Sequence, residues 1–395
     1  MDKRTLSLRL RSLTVFRGLL KDPVVDALLA CMECPREDLS GFVSAYSEFV
    51  ARLYEAGYAD LTEYVRSRVE DSENPLIRLR CAGRQEPPQL KTSAAADLDA
   101  LAEAAAVTPQ FLRDGTGYEG PLAGFQSSYG ELAAEYARRL ERIGQVGFGV
   151  YARHPMFRLN GAGRITPVGS PDPVRLGDLV DYQREKELIL GNTRALLAGK
   201  PAANMLLTGD AGTGKSSTVK AVVNELWQEG LRILEVRKEQ LHLLPGVLEE
   251  LKENPLKFIL FIDDLSFQRD DDDFSALKAM LEGSVSAKSR NVAIYATSNR
   301  RHLVKETFAD REGDEVHRQD AMQEIVSLSE RFGLRVTFLR PDKATYLNIV
   351  RRLAAEGGAG LPDEELCLLA ERFALSRSSR SARAARQFVD GLLAG

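Results

Sequence analysis

The feature that most constrains this chain is a glycine-rich octet that directly follows a short apolar stretch. The octet reads Gly209-Asp-Ala-Gly-Thr-Gly214-Lys215-Ser216, and residues 204–208 before it have the pattern of a buried strand. It fits the phosphate-loop pattern G-x-x-x-x-G-K-[ST] at every defined position. The pattern predicts a strand, a tight turn and a helix in that order. A glycine-rich turn that matches by chance is the alternative.

Each part of the octet has a group that a bound triphosphate needs. The glycines let the backbone N–H groups wrap the β-phosphate, and Lys215 would reach the β- and γ-phosphate oxygens. Ser216 would ligate Mg²⁺, and the helix that begins near Gly214 would point its positive end at the anion. We therefore predict nucleotide binding by Gly209, Asp210, Ala211, Gly212, Thr213, Gly214, Lys215, Ser216 and Ser217.

The size and charge of the chain exclude several other kinds of protein. With 395 residues, 44% of them hydrophobic, two or three soluble domains are expected. The net charge of -4 gives no overall attraction to nucleic acid or to an anionic membrane. No stretch reaches the eighteen or so apolar residues of a membrane span, so we expect no membrane insertion. Four cysteines in so long a chain favour a reducing, cytoplasmic setting.

Two of the cysteines have the C-x-x-C spacing of a redox pair or of half a zinc site, in Cys31-Met-Glu-Cys34. No second pair accompanies them, no histidine is near, and the surrounding pattern is that of an apolar helix. We predict buried structural cysteines, with the redox or zinc function as the alternative.

The pattern along the chain divides it into four parts. Residues 1–160 have mostly amphipathic helical spacing and predict a helical N-terminal domain. Residues 161–173 are rich in Gly, Pro and Ser, which predicts a linker with at most a short strand. Residues 174–341 alternate strands with helices, and residues 342–395 are purely helical. The third and fourth parts are expected to form an α/β domain and a helical lid.

Strand patterns in the third part occur at residues 231–236, 256–262, 291–297 and 335–339, with helical patterns between them. Such alternation predicts a parallel sheet flanked by helices, in which ligands collect at the carboxyl edge of the strands. Two of these strands end in polar groups: Asp263 and Asp264 follow one, and Asn299 follows the next. Asp263 fits the metal site, Asp264 a general base, and Asn299 a group that orients water. Solvated turns are the alternative for each.

The order and spacing of these residues resemble the AAA+ superfamily of ATPases, over residues 174–395. In that superfamily the paired carboxylates are the Walker B motif and the strand-end Asn is sensor 1. Four segments look more narrowly like a bacterial AAA+ family of predicted ATP-binding proteins whose cellular role is uncharacterised. They are Asp178-Leu-Val-Asp-Tyr-Gln, Asp263-Asp-Leu-Ser-Phe-Gln, Tyr295-Ala-Thr-Ser-Asn-Arg-Arg-His-Leu and Leu328-Ser-Glu-Arg-Phe-Gly.

The resemblance implies roles for four further residues. Arg331, just before the last strand, matches the arginine finger that completes a neighbouring subunit's site, with a surface salt bridge as the alternative. Arg383 best matches the sensor 2 arginine of the lid; Arg380 and Arg386 remain alternatives, as does a solvated arginine face. Leu179 and Val180 match apolar contacts to adenine, although the start of a packing helix would look similar.

Two departures from the superfamily affect the expected function. The second Walker B carboxylate is usually Glu, and Asp264 is shorter by a methylene, about 1.5 Å, so hydrolysis is expected to be slow. The segment 240–246 lacks the aromatic residue of a protein-translocating pore loop, which disfavours an unfoldase. Elsewhere, the acidic run at 270–273 is predicted to be a solvated loop, with a metal or partner contact as the alternative. His317, within the charged segment 305–324, is also predicted to be solvated, with partner contact as the alternative.

The sequence thus predicts a P-loop α/β protein of AAA+ type that binds ATP and Mg²⁺ and forms a homo-oligomer through an arginine finger acting in trans. Hydrolysis is expected to drive remodelling or assembly of an unidentified protein or nucleic-acid partner, recruited by the N-terminal domain. The alternative is an ATP-dependent binding switch with little or no turnover.

Overall fold

The computed structural model describes residues 2–265, 277–278, 281, 290–299, 330–377 and 379–394. Contacts divide the chain into two compact units, Met1–Arg153 and His154–Gly395. The acidic run at 270–273 and the charged segment with His317 lie outside the described residues.

The first unit is helical. Three of its helices begin with a side-chain cap followed by proline at the first helical position: Asp22 before Pro23, Asn74 before Pro75, and Thr108 before Pro109. The cap accepts from free backbone N–H groups, and proline has no N–H that needs a partner there. The helices are α1 (Lys3–Arg11), α2 (Pro23–Glu33), α3 (Leu39–Glu55), α4 (Leu61–Asp71), α5 (Pro75–Cys81), α6 (Pro88–Ala105), α7 (Pro109–Arg113), α8 (Leu132–Glu141) and α9 (Ile143–Val146), with 3₁₀ turns at Arg17–Lys21 and Gly149–Ala152.

The first unit has a hydrophobic core, and the two cysteines of the C-x-x-C pair contribute to it differently. Cys31 is buried in that core and Cys34 packs against it. Burial raises the pKa of the Cys31 thiol to about 12 and also raises that of Cys34. Both groups are therefore neutral thiols at pH 7 rather than the reactive thiolate form.

A buried carboxylate organises the turn after α1. Asp97 of α6 is 5% exposed, and its Oδ2 accepts from the backbone N–H groups of Thr14 at 2.9 Å, Val15 at 2.7 Å and Phe16 at 3.0 Å. The residue thus satisfies three donors of a loop that has no regular secondary structure to pair with.

We expect Asp97→Ala to destabilise the first unit by at least about 3 kcal/mol, because three N–H groups lose a charged acceptor. Denaturant unfolding of the full chain, followed by circular dichroism, measures the loss. Asp99→Ala is the matched control, since Asp99 lies on the exposed face of the same helix. Equal stability of the two variants would contradict the prediction.

A seven-stranded sheet lies in the second unit. Its strands are β1 (Met156–Leu159), β2 (Ile165–Pro167), β3 (Met205–Gly209), β4 (Leu231–Glu235), β5 (Lys257–Ile262), β6 (Val292–Ser298) and β7 (Leu334–Phe338). Their spatial order is β2-β1-β4-β5-β6-β3-β7. Only β2 is antiparallel to its neighbour. The strand of the phosphate loop, β3, therefore pairs with β6 and β7, and β6 separates it from β5.

The five strands predicted between residues 204 and 339 are all present, each within one residue of the expected start and end. They confirm the predicted parallel sheet flanked by helices. The pair β1 and β2 was not expected as part of it: β1 lies in the segment predicted to be helical, and β2 in the segment predicted to be a linker. β1 joins the sheet by pairing with β4, where Met156 lies opposite Ile233, and β2 joins it by pairing with β1.

Helices cover the sheet and form the C-terminal lid. Those beside the sheet are α10 (Gln183–Leu197), α11 (Lys215–Leu226) and α12 (Leu244–Leu251), with 3₁₀ turns at Leu176–Asp178, Trp227–Glu229 and Lys238–Leu243. The lid helices are α13 (Lys343–Gly357), α14 (Asp363–Ser376) and α15 (Ala382–Ala394), which share a separate apolar core. Among the described helices of the chain, none is both long enough and apolar enough to cross a membrane.

Candidate functional site

The phosphate loop turns sharply because its glycines adopt backbone angles that other residues avoid. Gly209 has φ 144°, Gly212 φ 77° and Gly214 φ 92°. A Cβ on Gly209 would collide with the carbonyl oxygen of Phe338 on the paired strand β7. Gly214 is the N-cap of α11, so the free N–H groups of that helix's first turn face the site.

Lys215 is held at the centre of the site by three oxygens. Its Nζ donates to the carbonyls of Gly209 and Asp210, both at 2.8 Å, and to Oδ1 of Asn299 at 3.0 Å. The residue is 5% exposed. Burial lowers the pKa of Lys215, although the nearby carboxylates of Asp263, Asp210 and Asp264 act in the opposite direction. A phosphate placed here would add negative charge next to a poorly solvated cation.

Asp263 lies next to the hydroxyl of Ser216, as the metal prediction requires. Its Oδ1 accepts from Ser216 Oγ at 2.6 Å and from Thr297 Oγ1 at 2.5 Å. Two oxygen atoms of the kind that bind metal ions, the Ser216 hydroxyl and an Asp263 carboxylate oxygen, thus lie side by side. Hard oxygen ligands of this kind are those that Mg²⁺ takes from proteins.

Two residues hold Asp264 in place: Thr297 on β6, and Asn299 directly after that strand. Its backbone N–H donates to Thr297 Oγ1 at 2.9 Å, and its Oδ1 accepts from Asn299 Nδ2 at 2.7 Å. The residue has φ 53°, in the left-handed region that non-glycine residues seldom occupy. Asn299 therefore contacts both Lys215 and Asp264, and so links the phosphate loop to the second carboxylate.

A cavity of about 800 Å³ opens over these groups. Its polar lining includes the loop from Ala211 to Thr218 and Asp263, Asp264, Thr297 and Asn299. Its apolar lining includes Leu179 and Val180 from the segment before α10, and Ile349 and Leu353 from α13. The size is typical of small-molecule pockets. A lining with both kinds of group suits a ligand that has phosphates and an apolar base.

Cations hold the segment that carries Leu179 and Val180. Lys186 of α10, 8% exposed, donates from Nζ to the carbonyls of Leu176, at 3.2 Å, and Leu179. Arg352 of the lid donates to the carbonyl of Gly177. The backbone of the turn Leu176–Asp178 is thereby hydrogen-bonded both to α10, through Lys186, and to α13 of the lid, through Arg352.

The lid arginines lie in different surroundings; the sequence favours Arg383 among them, with Arg380 and Arg386 as alternatives. Arg383 and Arg386 of α15 line the cavity. Arg383 also donates its backbone N–H to the carbonyl of Gly212 at 3.4 Å, and its Cβ would lie 3.0 Å from a Cβ on that glycine. Arg380 instead pairs with Glu371 of α14 at 3.3 Å, and Arg377 stacks on Phe373. Position thus favours Arg383 and Arg386 for contact with a ligand.

Arg331 is the one predicted site residue that lies away from the cavity. It comes three residues before β7, whose first residue, Leu334, pairs with Met205 at the start of β3. The phosphate loop follows the other end of β3, about 13 Å away along a five-residue strand. Arg331 is thus at the amino edge of the sheet, while the remaining predicted site residues gather at the carboxyl edge.

Four features together define a P-loop protein of AAA+ fold. They are a phosphate loop after β3, two carboxylates after β5, an Asn after the intervening strand β6, and a helical lid. Residues 152–395 match the model of the family described as "Protein of unknown function (DUF815)". The chain belongs to this family. The match agrees with the predicted resemblance to a family whose role is uncharacterised.

Comparison with solved structures finds RuvB of Thermotoga maritima, described as a Holliday junction branch migration motor. It is 16% identical, with a TM-score of 0.37, over 55% of this chain and 63% of that chain. Two single-residue variants of RuvB have TM-scores of 0.38 at 16% and 17% identity. This chain therefore spans less than two thirds of the length of RuvB. The comparison with curated proteins gives no match.

Two contributions to the site were missed from the sequence. The hydroxyl of Thr297 contacts both Asp263 and Asp264, but its position depends on pairing between β5 and β6, and Thr is an ordinary strand residue. Glu356 of α13 lines the cavity together with Ile349 and Leu353. The spacing 349, 353, 356 would have indicated a common face, although not what that face contacts.

We expect Gly209→Ala to destabilise the second unit by more than about 3 kcal/mol, because its Cβ would collide with a backbone carbonyl of β7 that cannot move without breaking the pairing. Gly191→Ala in α10 is the matched control, since Gly191 is exposed and has open space around it. That variant should be more stable than wild type by about 0.5–1 kcal/mol. Thermal unfolding measures both, and a tolerated Gly209→Ala would contradict the loop geometry.

Proposed function

We propose that this protein binds ATP with Mg²⁺ and hydrolyses it, and that hydrolysis drives remodelling or assembly of a macromolecular partner. The observation that carries the proposal is the contact of Asn299 with both Lys215 and Asp264. One amide thus contacts both the cation proposed to bind phosphate and the carboxylate proposed as general base. Action on the terminal phosphate of ATP would need these two groups close together.

The residues present fit both proposed ligands. The lining of the cavity includes the Lys215 cation, the N-terminus of α11, the Ser216 hydroxyl and apolar side chains such as Leu179 and Ile349. Ser216 and Asp263 would hold Mg²⁺, which when bound neutralises charge on the phosphate oxygens. Lys215 would donate to phosphate oxygens in place of some of its present hydrogen bonds, which go to Gly209, Asp210 and Asn299. Arg383 and Arg386 would add positive charge from the lid.

In hydrolysis a water molecule attacks the γ-phosphorus, and the bond between that phosphorus and the oxygen that bridges the β- and γ-phosphates breaks. Asp264 would take a proton from that water as it attacks, and Asn299 would orient the water through its amide. ADP and inorganic phosphate are the products. The shorter side chain of Asp264 does not prevent this role, because its Oδ1 already lies 2.7 Å from the Asn299 amide nitrogen.

Arg331 supports the proposal that the active form is a homo-oligomer. From the amino edge of the sheet it lies about one strand length from its own phosphate loop. A guanidinium at that position would stabilise a γ-phosphoryl group bound to a neighbouring copy. Such a finger contributes about 10³ to 10⁵ in rate where it has been measured.

A second candidate function, an ATP-dependent binding switch with little turnover, is favoured by the same contacts. Asn299 holds the Asp264 carboxylate and the Lys215 ammonium together. An arriving phosphate would compete with Asn299 for Lys215, so ATP binding alone would alter the contacts of Asp264 and β6. The N-terminal unit, outside the family match, would present the partner-binding surface in either case.

The first test measures phosphate release by wild type, Lys215→Ala and Asp264→Asn. We expect Lys215→Ala to lose ATP binding and at least about 100-fold in rate, because a buried phosphate-binding cation is removed. Asp264→Asn should bind ATP but turn over about 10²- to 10⁴-fold more slowly. Lys220→Ala, on α11 but outside the cavity lining, is the control. Tight ATP binding with equal, negligible turnover in wild type and Asp264→Asn would favour the switch.

The second test mixes two inactive variants, Lys215→Ala and Arg331→Ala. In mixed oligomers about a quarter of the interfaces would combine an intact loop with an intact arginine from the neighbour. We expect activity to reappear in the mixture, to about that fraction of the wild-type rate. A mixture no more active than the average of its components, with mixed oligomers shown by differently tagged subunits, would exclude a finger in trans.

A further inference from the structure

The hydroxyl of Thr297 lies between the two Walker B residues and contacts both. Its Oγ1 donates to Asp263 Oδ1 at 2.5 Å and accepts from the backbone N–H of Asp264 at 2.9 Å. The Thr297 carbonyl also accepts from the N–H of Leu265 at 2.7 Å. The residue is 1% exposed and lines the cavity. We infer that Thr297 is a positioning residue that sets both carboxylates of the site.

These contacts form a ring among residues that line the cavity, and the peptide bond between Lys215 and Ser216 completes it. The two halves meet at adjacent residues of the phosphate loop, because one half ends on Lys215 and the other on Ser216. Thr297 is the member that joins the halves. The ring runs Lys215–Asn299–Asp264–Thr297–Asp263–Ser216, with the Asp264 backbone N–H as the link to Thr297.

Only a side chain that both donates and accepts can take this place. A hydroxyl has one donor and two acceptor sites, and Thr297 uses it for a carboxylate on one side and an N–H on the other. Valine has the same shape without the hydroxyl, so it would leave the Asp264 N–H without this acceptor and free Asp263 to rotate. Serine keeps both bonds.

The contact with the Asp264 N–H has a conformational consequence. Asp264 has φ 53°, a strained backbone state for a non-glycine residue that persists only where the surrounding structure fixes it. Thr297 binds the N–H of Asp264 through its hydroxyl and that of Leu265 through its carbonyl, so it holds the backbone on both sides of the Asp264 Cα. Loss of the hydroxyl removes one of these two constraints and lets the carboxylate leave Asn299.

The inference rests on the proposed function, since the carboxylates are given roles toward Mg²⁺ and water. It makes Thr297 responsible for two separate effects. Through Asp263 it should control how much Mg²⁺ strengthens ATP binding. Through Asp264 it should control turnover. A residue that only filled space on β6 would affect neither one selectively.

The test compares Thr297→Val and Thr297→Ser in the full chain, with Thr193→Val as matched control. Thr193 is 0% exposed and its hydroxyl contacts the Ile189 carbonyl and the Tyr295 hydroxyl, both at 2.8 Å, away from the cavity. It therefore reports the cost of deleting an equally buried hydroxyl. ATP affinity is measured by calorimetry with EDTA and with Mg²⁺, and turnover by phosphate release.

We expect Thr297→Val to bind ATP in EDTA as wild type does, to lose about 10-fold of the Mg²⁺-dependent gain in affinity, and to lose about 10- to 100-fold in kcat, with KM for Mg-ATP raised by no more than that 10-fold. Thr297→Ser and Thr193→Val should stay within about 2-fold of wild type in all three measurements. If Thr297→Val melts well below Thr193→Val, Thr297→Ala carries the same expectation.

The inference is overturned if Thr297→Val retains both the Mg²⁺-dependent gain and kcat, or if Thr193→Val loses as much. Wild type that binds ATP without turnover would remove hydrolysis from the proposed function, and the Mg²⁺-dependent gain would then decide about Thr297 alone. Wild type that does not bind ATP in either buffer would overturn the proposed function and this inference with it.

Discussion

The site depends on the parallel pairing of β6 between β3 and β5. Because the three strands run in the same direction, their carboxyl ends lie at one edge of the sheet, and the polar residues that follow them meet there. Register then determines the contacts: Thr208 pairs with Ser298, and Ile262 pairs with Ala296. Asn299 is thereby placed next to the phosphate loop, and Thr297 next to Asp263 and Asp264. A shift of one residue in β6 would turn Thr297 to the other face of the sheet.

Much of this could be predicted because the signals are local. The phosphate loop needs its glycines, lysine and hydroxyl within eight residues, and the buried strand β5 ends directly in its carboxylates. The apolar runs of the central strands are long enough to predict their type and nearly their bounds. By contrast β1 has four residues and β2 three, too few for a pattern; β1 pairs with the distant strand β4, and β2 joins the sheet only through β1.

The surroundings of the lid arginines depend on three-dimensional packing. Four of them recur every third residue, and the sequence favours Arg383 only through its match to a known family, with Arg380 and Arg386 as alternatives. The structure separates them by their neighbours: Glu371 engages Arg380, while the first turn of α15 brings Arg383 against the carbonyl of Gly212. The absence of a side chain on Gly212 is what permits that approach, and so the loop and the lid constrain each other. A ligand that alters the loop would alter the first turn of α15 through the same contact.

Aspartate rather than glutamate at position 264 has a physical explanation in the backbone there. The left-handed region is accessible to Asp and Asn more readily than to longer side chains, because a short polar group can hydrogen-bond locally there. Asp264 occupies this region and still reaches Asn299 at 2.7 Å. A longer Glu on the same backbone would extend past the Asn299 amide by about 1.5 Å. The short carboxylate therefore suits the left-handed backbone. Thr297 accepts from the N–H of Asp264 and donates to the Asp263 carboxylate, so it links this backbone to the neighbouring acidic side chain.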